Sequence, residues 1–146
     1  MKAFGILEIV FAIVIISIIS SVALMKMSDT NRLSIKTKIK SDIALIRYSI
    51  SNARQTLVLS GNDTSINLLD EATTNTKNQK LFNSILDYPI LSSDMVDAVG
   101  GDWVKYSSNI YRAFVSKNES IDFVYDFSSG LFDCDYSLAL CKELTQ

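Results

Sequence analysis

The sequence predicts an α+β fold: a long N-terminal α-helix, transmembrane in its first half, whose second half packs on a small antiparallel β-sheet head. Three observations predict it. Residues 4–25 are apolar but for a few serines, one glycine and a single charge, Glu8. Isoleucines then recur at helical spacing from Ile35 to Ile50. Most of the aromatic residues fall between Trp103 and Tyr136, where apolar and polar positions alternate as they do along a half-buried strand.

The run from Phe4 to Met25 is long enough for a spanning helix. At ~1.5 Å per residue it reaches about 33 Å, against a hydrocarbon core of roughly 30 Å. Glu8 is the anomaly within it. An ionised carboxylate in a spanning helix costs on the order of 2.5 to 3.5 kcal/mol, less near the interface. One turn from the helix start it also favours the positive end of the helix dipole. No Lys or Arg lies between Glu8 and Lys26, so this helix supplies no cation of its own. Ser21-Val22-Ala23 has the small-x-small form of a signal-peptidase site, but the thin positive start, Lys2, and the carboxylate at the opening of the apolar run argue against an ordinary secretory signal.

Residues 26–60 continue the helix with a different surface. Ile35, Ile39, Ile43, Ile46, Ile50, Ala53 and Leu57 form one stripe, with Lys36, Lys38, Lys40, Asp42, Arg47 and Arg54 off it. A continuous helix from about Phe4 to Leu59 would be roughly 84 Å long. A coiled coil would use the same stripe, yet the stripe stops at Ser60-Gly61 after barely three heptads, so a covering head is the better account.

Residues 61–146 form that head. Gly61 to Lys80 is polar and reads as a surface connection. Leu81, Phe82, Ile85 and Leu86 give a short helical stripe ended by Pro89, and Ser92, Ser93 and Asp94 offer a cap for one more turn before Gly100-Gly101. Ile121, Phe123, Tyr125 and Phe127 alternate with Asp122, Val124 and Asp126, with Ile110 to Val115 as the hairpin partner. Ser128-Ser129-Gly130 turns the chain into a third strand, Leu131 to Asp135. The aromatic face of this sheet should cover the stripe of the long helix.

Composition narrows the chemistry. Histidine is absent, which removes the commonest general base, the commonest metal ligand and every Ser-His or Cys-His pair. A net charge of −2 gives no global pull toward nucleic acid or anionic lipid. The local cluster Lys26, Arg32, Lys36, Lys38 and Lys40 reads as a solvated helix face, since no flanking aromatics provide stacking platforms.

The stretch Lys2-Ala3-Phe4-Gly5-Ile6-Leu7-Glu8-Ile9 resembles the prepilin N-terminal signature of type IV pilins and type II secretion pseudopilins. In that family a short basic leader ends in a small residue, a Phe begins the mature chain and a glutamate is its fifth residue. Only a cut after Ala3 keeps both features here. The resemblance implies a pilin-like fold and a leader of residues 1–3. It implies cleavage between Ala3 and Phe4 and N-methylation of Phe4 by a prepilin peptidase and methyltransferase. It also implies an assembly salt link in which Glu8 of one subunit meets the positive Phe4 amine of the next. The chain would sit in the inner membrane as a single-pass protein with its head in the periplasm, and in a filament after assembly. Its partners would be other pilin-like subunits and an inner-membrane assembly platform, with nucleic acid only if the filament serves DNA uptake. No enzymatic activity of its own is implied, and the signature does not separate type II secretion, competence and a pilus. The rival reading is a membrane-tethered periplasmic binding module that does not polymerise.

In a chain whose head is exported, the even pair Cys134 and Cys141 suggests a disulfide, with two buried thiols as the alternative; a metal site with two sulfurs and no histidine is poorer. Asp122, Asp126, Asp133 and Asp135 could gather around calcium, but their spacing follows no loop signature and Asp on an outer strand face needs no ion. No cofactor is otherwise implied.

Overall fold

Gly5 opens the first element. Its carbonyl accepts the backbone N–H groups of Glu8 at 3.0 Å and Ile9 at 3.3 Å, and α1 (Ile6–Leu59) follows without a break over 54 residues. No Gly or Pro interrupts the ladder between Gly5 and Gly61. The helix stops at Gly61, whose φ of +71° is the left-handed conformation that ends many helices and that lacks a steric penalty only in glycine. The structure, a computed structural model, describes residues 5–61 and 65–146, and within that range every side chain outside residues 22–29.

The chain divides into two units, Met1–Ser34 and Ile35–Gln146. In the first, the serines of the apolar run turn their hydroxyls back on the helix. Ser17 donates to the carbonyl of Ile13, Ser20 to that of Ile16 and Ser21 to that of Ile18, at 2.7 to 2.8 Å. Their polarity is thereby consumed locally. The expected transmembrane first half is corrected here. Among the described residues no helix is long and apolar enough to cross a membrane. From Thr30 onward the helix is rich in charged and polar residues. The single-pass inner-membrane location, which rested on that span, is corrected with it.

The second unit is built on the isoleucine stripe. Ile39, Ile43, Ile46 and Ile50 are at most 2% exposed, with Ile35 partly buried beside them. A four-stranded antiparallel sheet lies in the same core, its strands in chain order: β3 (Trp103–Lys105), β4 (Ile110–Ser116), β5 (Glu119–Asp126) and β6 (Leu131–Cys134). A small antiparallel pair, β1 (Lys80–Leu81) and β2 (Ile90–Leu91), precedes it, and α2 (Ala139–Thr145) closes the chain. Register sets Tyr111 opposite Phe123 and Tyr125 opposite Phe132, which puts the aromatic rows on one face. Along β5, Ile121, Phe123 and Tyr125 are buried while Ser120, Val124 and Asp126 are exposed, the period-two pattern of a strand covered on one side.

Residues 81–86 differ from the expected helical stripe. Lys80–Leu81 pairs with Ile90–Leu91, and only one turn follows, closed by the N–H of Leu86 donating to the carbonyl of Phe82 at 2.9 Å. Phe82 has a φ of +61°, which interrupts any helix there. Asp94 does cap a single turn, its Oδ1 accepting from the N–H groups of Val96 at 3.0 Å and Asp97 at 2.8 Å.

Gly100 is a packing glycine. A Cβ there would lie 2.6 Å from the carbonyl oxygen of Val115 and 2.6 Å from the Cδ1 of Ile35. The isoleucine tip can rotate, but the strand carbonyl cannot move without disturbing β4. Gly100→Ala is therefore expected to destabilise this unit by about 1–3 kcal/mol, the usual range for overpacking, read as a lowered urea midpoint at unchanged slope.

Candidate functional site

The site singled out by the sequence lies at the start of α1, and it is described in part. Ala3 and Phe4, the expected cleavage and methylation positions, lie outside the described residues, as does the rest of the leader. Glu8 occupies the first turn of α1 with its side chain exposed, near the positive end of the helix dipole. Among the described residues no cation pairs with it. Around and beyond Glu8 the helix presents apolar side chains on every side. Ile6 is 83% exposed and Leu7 74%, and Ile9, Val10, Phe11, Ile13, Val14, Ile15, Ile16, Ile18 and Ile19 are all at least half exposed. A contiguous apolar surface of this kind marks a contact site rather than a solvent face.

Cys134 and Cys141 form a disulfide with their Cα atoms 5.8 Å apart. The bridge ties β6 to α2, whose Leu144 is 2% exposed in the core. The four acids considered for calcium are dispersed among separate partners. Asp122 forms a bidentate pair with Arg112 at 2.6 and 2.8 Å. Asp133 accepts from Arg47 at 2.7 Å. Asp126 accepts from the hydroxyls of Ser128 and Ser129, which hold its carboxyl down to about 2. Asp135 accepts the backbone N–H of Ser137 at 2.8 Å, which lowers its pKa. Among the described residues the one cluster with metal-ligand spacing is Asp133, Cys134 and Cys141, and its two sulfurs are spent on each other.

Comparison with protein-family models, with curated proteins and with solved structures finds no match.

Two features of the head went unseen in the sequence. The first is a buried polar cluster around Asp70, in a segment whose composition suggested surface. Asp70 is fully buried. Its Oδ1 accepts from the Lys105 ammonium at 2.5 Å and from the backbone N–H of Ala72 at 3.1 Å. Its Oδ2 accepts from the Tyr111 hydroxyl at 2.8 Å and from the backbone N–H of Phe82 at 2.9 Å. Lys105 also donates to the Asp70 carbonyl at 3.2 Å. Burial and the adjacent carboxylate push the Tyr111 phenol far above its ordinary range, so it stays a donor. The cluster is saturated, and its geometry is that of a clamp holding the 65–90 segment to the sheet.

The second is a groove of about 610 Å³ between the 47–58 stretch of α1 and the β5–β6 turn with β6. Arg47 in its wall donates to the carbonyl of Phe132 at 2.9 Å as well as to Asp133. Arg54 is less well supplied. Its Nη2 reaches the carbonyl of Ser128 at 3.4 Å, and its Nη1 is buried with no hydrogen-bond partner. Alternating charge and apolar residues on a helix are too common for a groove of this kind to be read from sequence.

Proposed function

We propose that this chain is a structural subunit of a type IV pilus-like filament, a pseudopilin or minor pilin, whose work is to polymerise rather than to catalyse. The observation that carries the reading is the apolar surface of residues 6–19, exposed on every side and bearing one carboxylate in its first turn. Such a surface needs a cover. Burying a Leu, Ile, Val or Phe side chain contributes about 1.5–3 kcal/mol, so a bundle of these helices from many copies has ample driving force. The same bundle would enclose Glu8, and a carboxylate taken from water costs several kcal/mol unless a cation accompanies it. Cleavage after Ala3 would create that cation at the Phe4 amine, four residues from Glu8 on the same chain and available to the Glu8 of the next. The linear sequence Ala3-Phe4-Gly5-Ile6-Leu7-Glu8 supports this register. Type II secretion, DNA uptake and a pilus share this signature, and any of the three would use such a subunit.

Glu8→Gln tests it. The substitution keeps shape and hydrogen bonding but removes the charge, leaving the neighbouring amine unpaired in the bundle. Sedimentable filament is expected to fall at least tenfold, which corresponds to about 1.4 kcal/mol or more, while the head melts as in the parent. Mass spectrometry of the assembled material should find a methylated Phe4 at the N-terminus. Filaments formed in equal yield by Glu8→Gln, or a mature chain that retains residues 1–3, would overturn the proposal.

A further inference from the structure

We propose that the Arg54 groove receives the Asp87-Tyr88 knob of a second copy of this chain, a head-to-head contact that repeats along the filament; this rests on the filament reading above. The groove states its own requirement. A guanidinium carries five N–H donors, and Arg54 uses one weakly, at 3.4 Å, while its Nη1 is buried and unpartnered. Nη1 itself is covered beside Gly130, but Arg54 lines the groove with only one long hydrogen bond to its name, so an acceptor entering the groove would meet the other N–H groups of an undersupplied guanidinium. Arg47 has its acceptors already in Asp133 and the Phe132 carbonyl, which leaves Arg54 as the group with donors to spare. Gly130 gives the guanidinium its seat. A Cβ at that position would stand 1.8 Å from Arg54 Nη1, and the φ of +74° is one that glycine adopts freely. Ile50, Val58, Leu131 and Phe132 supply the apolar part of the lining. A ligand suited to both parts is a carboxylate next to a large apolar body.

The same unit displays that combination. Among the described residues Tyr88, 91% exposed, is the most exposed of the large apolar side chains, and Asp87 beside it is exposed and makes no ion pair. Pro89 follows, fixing its own φ and restricting Tyr88 to extended conformations, so little freedom is lost when the pair is captured. Tyrosine is among the residues that anchor interfaces most strongly, and an acid-to-arginine contact at the groove's guanidinium is complementary in charge. Knob and groove share no residue. In a filament, where the copies follow one another by one repeated step, each groove would take the knob of the next copy, a heterologous contact that adds copy after copy.

Charge exchange in the full chain tests the contact. Arg54→Glu and Asp87→Arg are each expected to lower filament yield at least tenfold, and the double variant to restore it to within about threefold of the parent. Independently, Ser51→Cys combined with Tyr88→Cys, oxidised in assembled material, should give a ladder of dimers, trimers and longer covalent species, whereas each single variant stops at dimers. A double charge variant no better than the singles, with heads that melt normally, overturns the contact, as does the absence of a ladder from filaments that form in full yield. If both charge variants assemble normally while Glu8→Gln does not, the groove contact falls and the filament reading stands. If the parent chain forms no filament at all, both fall together.

Discussion

Asp70→Asn is expected to destabilise the head by about 3–5 kcal/mol, the cost of breaking a buried ion pair from one side. The amide keeps the volume and can still accept one backbone N–H. It cannot serve four donors, and it leaves the Lys105 ammonium, 5% exposed, without a counter-charge. Since a domain of this size holds about 5–15 kcal/mol in all, the loss would take a large share of the total. Phe82 is the specific casualty. Its φ of +61° is unfavourable for a bulky side chain, and the Asp70 carboxylate holds its N–H in place while the ring fills the core between Trp103, Tyr111 and Phe132. Urea unfolding followed by the fluorescence of Trp103, the one tryptophan, reads the effect. Replacing both partners, Asp70→Asn with Lys105→Met, should cost less than the sum of the singles, because the second change removes the stranded charge. A loss below about 1 kcal/mol for Asp70→Asn would show that water reaches the cluster and that it is no clamp.

The stripe Ile39, Ile43, Ile46 and Ile50 was legible because one face of a helix is buried and the other is wet, which writes a 3.6-residue period into the sequence. Strands β4, β5 and β6 were legible for the equivalent reason at period two, helped by the turn Ser128-Ser129-Gly130. Where that asymmetry fails, so does the reading. All three residues of β3, Trp103, Val104 and Lys105, are buried, so alternation is lost. Phe127 continues the alternation of β5 in sequence, yet it is 55% exposed, because Asp126 already begins the turn by accepting from Ser128 and Ser129. Asp70 was hidden by its neighbours. A lone carboxylate among threonines and asparagines looks solvated, and only the tertiary placement of Lys105 and Tyr111 makes it buried. The apolar run at the N-terminus reads in the sequence as a membrane span, and that expectation fails, since among the described residues no helix is long and apolar enough to cross a membrane.

Phe132→Ala is the core substitution with the largest expected effect, about 3–5 kcal/mol. Phe132 is 1% exposed and sits where the aromatic rows converge. It stacks on Phe123 at 5.2 Å between centroids, meets Phe82 edge-on at 5.8 Å, and lies 5.9 Å from Tyr111 and 6.3 Å from Trp103. Removing the ring deletes four aromatic contacts at once, and the cavity cannot close easily because β6 is pinned by pairing with β5 and by the Cys134–Cys141 bridge. Phe132→Leu, which preserves most of the volume, should cost less than about 1.5 kcal/mol. The two variants separate packing from backbone effects. The Phe132 carbonyl accepts from Arg47 in either case, so a loss that follows side-chain volume, with Leu near the parent and Ala far below it, assigns the energy to the ring. Equal losses for Leu and Ala would instead place it in the positioning of β6 against α1, and the account of an aromatic core as the main support of the head would be wrong.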